Sequence, residues 1–548
     1  MFRANRAENF KSKCLTNYGN NSLLYEVLKK YKDDWERYIY LVDEHLVERF
    51  AKFSSRYHLT FANDIEINSI KTKQVDEIYF NARFKSNLKI NVVIEQEVNE
   101  HERILGTLET IKIADNETIK RLAYATAVGG CITSMQWLPE NLKNFTSGKN
   151  TQYNYLAIGV INSGTELLER KLATSREISV FNSTRPFKKK ELESAIQLWR
   201  YDTITNQFTL QHIIITLIYG AVSDIKWAPV CSKSEDIIGT LVATFKDGTI
   251  RVLKIPHSLA RYSVLEESSL TFYSDKHSKE GTIINSNLTC FAFHEEGKIL
   301  AGTADGFLME FELFETGAVE NGPSLPPVPN YKFFVSDGPI THIESMKTFS
   351  GETIILINGQ AFRGTAFMSE NPIQEAYSPV HEKSNVKPTY NCILQDVLVA
   401  YNLELAKILN FRSLQDGAVE IIRVSSHISA CKMSEVLGHP FMIAGTSAGD
   451  VILMNYARKL FSRRGKNKVL QPLKLWKLTW DTKSHSLSIK GNYERIEVES
   501  IIPASFMPQE VLVNSVAWNE NAVGSSIYAV GTASGLLIVE RLDPTTHT

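Results

Sequence analysis

The amino-acid sequence predicts an all-β protein assembled from repeated small sheets and preceded by one amphipathic helix. Three observations carry that reading: a helical apolar period that fades before residue 75, a three-strand unit that recurs from there to the end, and glycines at fixed places inside the unit. Of the 548 residues 43% are hydrophobic and 22% charged. That is apolar side chain enough to bury about three quarters of the unfolded surface, which excludes global disorder.

The helix comes first. Within residues 20–57, Leu24, Leu28, Tyr31, Trp35, Tyr38, Val42, Leu46, Phe50 and Phe53 follow at steps of three or four, with Lys29, Asp33, Glu36, Arg37, Glu44 and Glu48 between them. Such a stripe needs a surface to bury it. Two are available, the chain's own domain or a partner protein. Residues 1–75 are read as an N-terminal extension and 76–545 as the repeated region.

The unit is an alternating strand ending in a large residue, an apolar strand running into a glycine turn, and a third strand. One copy is VSDIKW, TLVATFKDG, TIRVLKI (222–255), and another is LTCFAF, KILAGTADG, FLMEFEL (288–313). ISACKM, FMIAGTSAG, DVILMNY (428–456) and VNSVAW, IYAVGTASG, LLIVERL (513–542) repeat it. Weaker copies are ITSMQW with YLAIGV and IQLWRY (132–201), and ITHIES with TIILINGQ (340–360). Gly248, Gly306, Gly449 and Gly535 fall where a tight turn demands positive φ. Gly302, Gly445 and Gly531 fall inside strands, where neighbouring sheets would crowd one another. A small sheet cannot cover both of its faces alone, but several arranged radially can, so the repeats predict a WD-repeat-like β-propeller.

The residues at the ends of the first strands (Trp137, Trp227, Phe293, Ser345, Met433, Trp518) stand 52 to 90 residues apart, whereas a blade needs about 40 to 45. Insertions at 161–195 and 457–474 take up part of the excess. A degenerate copy around Cys392 to Val424 takes up more, so six visible copies predict seven blades. Segments within 78–115, such as LKINVVIEQE, are candidates for the strand that pairs with the C-terminal one. GPSLPPVPN (322–330) reads as a stiff connector between blades.

Sixty Lys and Arg against sixty-one Asp and Glu leave a net charge of -1, so nucleic-acid binding would require a local patch. Such a patch lies between Val451 and Trp480, where Arg458, Lys459, Arg463, Arg464, Lys466, Lys468, Lys474 and Lys477 occur with no acid, interleaved with Tyr456, Phe461, Trp476 and Trp480. Phosphate contact and a solvated loop both fit it. Arg185, Lys188, Lys189 and Lys190 form a second, smaller cluster. The six cysteines are scattered, without metal-ligand spacing, and no metal or cofactor is expected. The first residues lead into no apolar signal segment, and the longest apolar stretch is about ten residues, short of a bilayer span. A reduced, intracellular, soluble protein is expected. No nucleophile, zinc or phosphate-loop motif is present, so no enzyme is expected. Asp247 and Asp305 are explained by their turns.

Two first strands of the form glycine, apolar, five residues, Trp, x, Pro (130–139 and 220–229) flank a sheet that ends in IQLWRY (196–201). With YLAIGV and TLVATFKDGTIRVLKIP, this succession resembles the β-propeller, WD-repeat subunit of the box-B-binding module of transcription factor IIIC, with decreasing clarity from about 125 to 545. The resemblance implies a nuclear, non-catalytic subunit that joins a second propeller subunit and supports recognition of the internal promoters of transfer RNA genes. Promoter DNA would be met directly or through the complex, and no membrane is implied. A generic propeller scaffold, such as a histone-tail reader or ubiquitin-ligase adaptor, is the alternative. Two departures stand out. Trp-Asp occurs only at Trp480-Asp481, and the segment before the propeller is shorter than the charged extension common in relatives. The first leaves the usual structural hydrogen-bond tetrad without a sequence signal, and the second moves attention for DNA contact to residues 456–477.

Overall fold

The computed structural model describes residues 10–15, 20, 22–31, 61, 65, 67–85, 87–93, 103–116, 121–139, 152–162, 193–230, 235–274, 287–295, 297–313, 327–347, 353–359, 365–368, 386–391, 396–401, 405–410, 419–434, 441–456, 472–491, 493–496, 508–521 and 524–542. These residues are mostly strand, in seven sheets. The first strands are Cys131–Trp137, Val222–Trp227, Leu288–His294, Ile340–Lys347, Thr389–Asn391, Ile428–Met433 and Val513–Trp518, in chain order. Each pairs antiparallel with the next strand in sequence, that one with a third, and in six of the sheets a fourth follows. The degenerate copy is the fifth sheet: Thr389–Asn391, Asp396–Tyr401, Leu405–Asn410 and Val419–Arg423.

A single steric device recurs where one sheet meets the next. In four sheets the second strand carries a glycine against the first or second residue of the following sheet. A methyl group on Gly159 would lie 3.2 Å from Val222 Cγ1, on Gly302 2.6 Å from Ile340 Cγ2, on Gly445 2.7 Å from Val513 Cβ, and on Gly531 2.6 Å from Ile132 Cγ2. The last pair joins the seventh sheet to the first, so the succession of contacts closes. A polar side chain beside each glycine reinforces the contact. Thr133 Oγ1 donates to the Val222 carbonyl (2.8 Å), Thr289 Oγ1 to that of Ile340, Ser429 Oγ to that of Val513 (2.6 Å), and Asn514 Nδ2 to that of Ile132 (3.1 Å). The four turn glycines have φ between 78° and 87°, as their position demands. Trp137, Trp227 and Trp518 are buried where they close their strands.

The N-terminal part is woven into this framework. Phe61 is fully buried, bonded through its N–H to the Pro229 carbonyl (2.7 Å) and packed edge-on against Phe293 at 5.8 Å. Lys71–Gln74 pairs with Tyr262–Glu267, which itself adds in parallel to the outer edge of the first sheet. Asp76 caps the short helix Glu77–Asn81 by accepting from the Tyr79 N–H (2.8 Å), and Phe80 and Phe84 stack at 4.8 Å in the core. Of the amphipathic stripe, helix Ser22–Tyr31 is described, and its Leu28 is buried in one apolar cluster with Phe10 and Cys14 of residues 10–15. The stripe residues beyond Tyr31 lie outside the described residues.

Two expectations are corrected. LKINVV does not pair with the C-terminal strand. Asn87–Val93 runs parallel to Ser486–Lys490 and extends the sixth sheet. The partner of Leu536–Leu542 is Arg121–Ala127, whose alternation Leu122, Tyr124, Thr126 fits a central strand, with Thr110–Asn116 outside it. Nor does the proline-rich segment connect two sheets. It joins Phe307–Glu312 to Tyr331–Phe334, the third and fourth strands of the third sheet, and Asn330 fixes its end on Glu310 and Glu312 (3.0 and 3.1 Å).

No helix among the described residues is long and apolar enough to cross a membrane. Burial pushes the thiols of Cys131, Cys290 and Cys431 up to about 12.

Candidate functional site

The basic segment leaves the sixth sheet after Tyr456 and returns at Pro472, between antiparallel strands Asp450–Asn455 and Leu473–Asp481. Arg458, Lys459, Arg463, Arg464, Lys466 and Lys468 lie outside the described residues. Lys474 is described, and it is not unopposed. Its Nζ lies 3.2 Å from Asp450 Oδ1, while Lys477 Nζ lies 3.1 Å from Asp450 Oδ2 and donates to the Ala448 carbonyl (2.9 Å). Asp450 precedes the acid-free window by one residue, and strand pairing sets it opposite Lys477.

The aromatics interleaved with these cations divide. Tyr456 and Trp476 are fully buried, so neither is free to stack on a base. Trp476 Nε1 lies 2.7 Å from both Tyr528 Oη and Glu540 Oε2. Glu540, itself fully buried, also accepts from Arg121 Nε (2.7 Å), from Tyr493 Oη (2.7 Å) and from Tyr528 Oη. The Arg121 guanidinium lies over the Trp476 and Tyr493 rings at 4.4 and 3.8 Å. Burial alone would lower the Arg121 pKa, but Glu540 and the two tyrosines raise it, so the guanidinium stays charged. Burial first and Glu540 second push the Tyr528 hydroxyl well above the usual tyrosine range. This cluster bolts the fourth strand of the sixth sheet to the strand pair that ends the chain.

Arg185, Lys188, Lys189 and Lys190 also lie outside the described residues. Their anchor points are informative. The segment leaves at Ile161 and returns at Ser194, joining the second and third strands of the first sheet, whereas the 457–471 segment joins the third and fourth strands of the sixth. Neighbouring first strands run in the same direction: Thr133 meets Val222 where Gln136 meets Trp227, and Asn514 meets Ile132 where Asn521 meets Leu138. Successive antiparallel connections alternate ends, so the two basic segments depart from opposite ends of the sheets.

A polar cluster not foreseen from the sequence lies between the first strands. Lys387 Nζ reaches both oxygens of Asp224 (3.0 and 2.9 Å), and Ser134 Oγ donates to the same carboxylate (3.0 Å). Lys226 stands 4.0 Å from Glu344, and Lys432 stands 2.9 Å from Glu520. Burial would raise the Asp224 pKa, but Lys387 and Lys226 hold it below the usual carboxylate range. Burial, reinforced by Lys387, drops His342 to about 4, so this imidazole is neutral at pH 7. The only sequence signal was the polar residue at alternate positions of VSDIKW and ITHIES. Among the described residues no group of His, Cys, Asp and Glu is arranged to hold a metal ion.

No protein-family model matches the chain. It is 25% identical over 435 residues to the transcription factor tau 91 kDa subunit of Saccharomyces cerevisiae, a match covering 77% of this chain and 58% of that protein. It is 24% identical over 447 residues to the transcription factor tau subunit sfc6 of Schizosaccharomyces pombe, covering 78% and 66%. This chain is similar to subunits of transcription factor tau. The resemblance to the transcription factor IIIC β-type subunit, drawn from residues 125–545, is borne out. The chain spans less than two thirds of either tau subunit's length.

Proposed function

We propose that this chain is a non-catalytic, nuclear subunit of a transcription factor IIIC assembly, and that its seven sheets are the blades of a β-propeller. Similarity to two tau subunits over more than three quarters of the chain carries the first part. The repeated glycine contact, closing from Gly531 to Ile132, supports the second. On this reading residues 76–545 form a platform for a second propeller subunit, and the assembled module binds the internal box B promoters of transfer RNA genes. Residues 1–75 are its N-terminal extension, of which Phe61, Ile65 and Lys71–Gln74 lie against the blades.

Direct DNA contact is assigned to Arg458, Lys459, Arg463, Arg464, Lys466 and Lys468, with Lys474 at the margin because Asp450 neutralises it. The cluster of Asp224, Lys226, Glu344 and Lys387 has its charges paired internally, which does not favour a histone-tail reader working through the ring centre. Cross-linking the tagged chain in cells and sequencing the bound DNA tests the proposal. Enrichment at transfer RNA genes is expected, and enrichment spread over nucleosomes with none at those genes would reject it.

A further inference from the structure

Four of the seven junctions share the glycine contact, but the passage from the fourth sheet to the fifth is built differently. The place of Gly159, Gly302, Gly445 and Gly531 is taken there by Asn358, opposite His342 on the first strand. Asn358 is 2% exposed, and among the described residues neither its Oδ1 nor its Nδ2 has a hydrogen-bond partner, as is also true of His342 Nδ1. Burying an amide without partners is costly. The reinforcing side chain is also turned inward. Thr341 Oγ1, at the position of Thr133, Thr289 and Ser429, donates to the Asn358 carbonyl of its own sheet (3.2 Å). Between the two sheets Tyr390 Oη donates to the Lys347 carbonyl (3.1 Å).

The fifth sheet is fastened elsewhere. Asn391 Nδ2 donates to the Ser434 carbonyl of the sixth sheet (2.7 Å), and the Met433 N–H donates to Thr389 Oγ1 (3.3 Å). Lys387, two residues before the fifth sheet begins, grips Asp224 of the second sheet, which is not its neighbour in the succession. The second sheet also lacks the glycine, with Thr244 in its place, but the Leu288 N–H bonds there to the Gly248 carbonyl (3.0 Å) and Phe61 packs with Val242 and Phe291 across that junction. Added strands from the N-terminal part bind the first, sixth and seventh sheets. Among the described residues no added strand reaches the fourth and fifth sheets, whose Met346, Leu356 and Ile408 share an apolar cluster with Phe10, Cys14 and Leu28 but gain no strand pairing from the N-terminal part.

We propose that the contact between the fourth and fifth sheets is a seam at which the ring opens locally, held shut across the centre by the Lys387–Asp224 ion pair. The inference rests on reading the seven sheets as a ring. It places the deformable part of the platform outside the sheets that the N-terminal strands extend.

Hydrogen exchange followed by mass spectrometry on the full chain tests it. Peptides covering Thr353–Gly359 and Thr389–Asn391 are expected to exchange roughly 5- to 30-fold faster than those covering Tyr153–Ile161 and Phe441–Thr446, the ratio that one or two kcal/mol of lost local stability produces. Lys387→Ala should widen the gap without changing the Phe441–Thr446 peptides, and Asn358→Gly should narrow it. Equal protection across all these strands in the unaltered chain would overturn the seam, as would an Asn358→Gly variant with unchanged exchange. If Ile527–Thr532 and Cys131–Trp137 exchanged as fast as the fourth sheet, the ring reading itself would fail, and the seam with it.

Discussion

Replacing Gly445 by alanine probes the contact that recurs between sheets. The added methyl would sit 2.7 Å from Val513 Cβ, where van der Waals contact needs about 3.5 to 4 Å. Val513 is fully buried and β-branched, so it has no alternative rotamer into which to retreat. Overpacking of this kind costs about 1–3 kcal/mol. Val513→Ala on its own removes two methyl-sized groups, a loss of about 1.6 kcal/mol from transfer alone and somewhat more with the cavity. If the two residues were independent, the double variant would lose the sum, about 3–5 kcal/mol. Because Val513→Ala removes Cγ1, the atom nearest the added methyl, while Cβ stays, the double variant should lose about 1 kcal/mol less than that sum. Urea denaturation of the four proteins, followed by tryptophan fluorescence, measures the cycle. Additive losses would refute the claim that these two side chains meet between sheets.

Other predictions follow from the same geometry. Arg121→Ala leaves Glu540 buried without its counter-charge and should destabilise the fold by about 3–5 kcal/mol in denaturant titration, whereas Lys71→Ala, which breaks an exposed pair with Glu267, should cost less than about 1 kcal/mol. Changing Arg463, Arg464, Lys466 and Lys468 to alanine should flatten the log-log salt dependence of DNA binding by the assembled module by up to about 3.6, at roughly 0.9 per phosphate contact. Lys474→Ala should leave that slope nearly unchanged, because Asp450 already neutralises the lysine. His342 has a depressed folded pKa of about 4, so between its unfolded value of about 6.5 and pH 4 the unfolded chain binds the extra proton and stability falls as pH falls. His342→Gln should remove up to about 1.4 kcal/mol per pH unit from that slope, read by denaturation at several pH values, and should change nothing above pH 7.

The repeating units were legible because their physics is local. A turn that needs positive φ selects glycine at one position, and the crowding between sheets selects it at another, so Gly306 and Gly302 announce a turn and a junction within five residues. The closing strand was not legible. Arg121–Ala127 pairs with residues more than 400 positions away, and RLAYATA alone does not say which edge it will meet. Asn87–Val93 has a similar pattern and fits the place of a closing strand equally well by sequence. Side-chain charges obeyed the same division. Asp247 announces its turn through the glycine that follows it, and it accepts from Thr249 within that turn. The Lys387–Asp224 and Arg121–Glu540 pairs join residues 163 and 419 positions apart, so neither partner signals the other in the sequence. The unopposed appearance of Lys474 depended on where a window of residues began, since Asp450 stood just outside it.

The most direct test of the account is whether the ends of the repeated region meet. Thr126 and Leu537 are register partners, and opposed residues of antiparallel strands have Cα atoms about 4.5–5.5 Å apart, within disulfide reach. A chain carrying Thr126→Cys and Leu537→Cys should form that cross-link on mild oxidation, to an extent comparable with a control pair at Val530 and Ile538 of the neighbouring hairpin. Efficient cross-linking of the control with none between positions 126 and 537 would contradict closure of the seven sheets, and with it the propeller on which the proposed role depends.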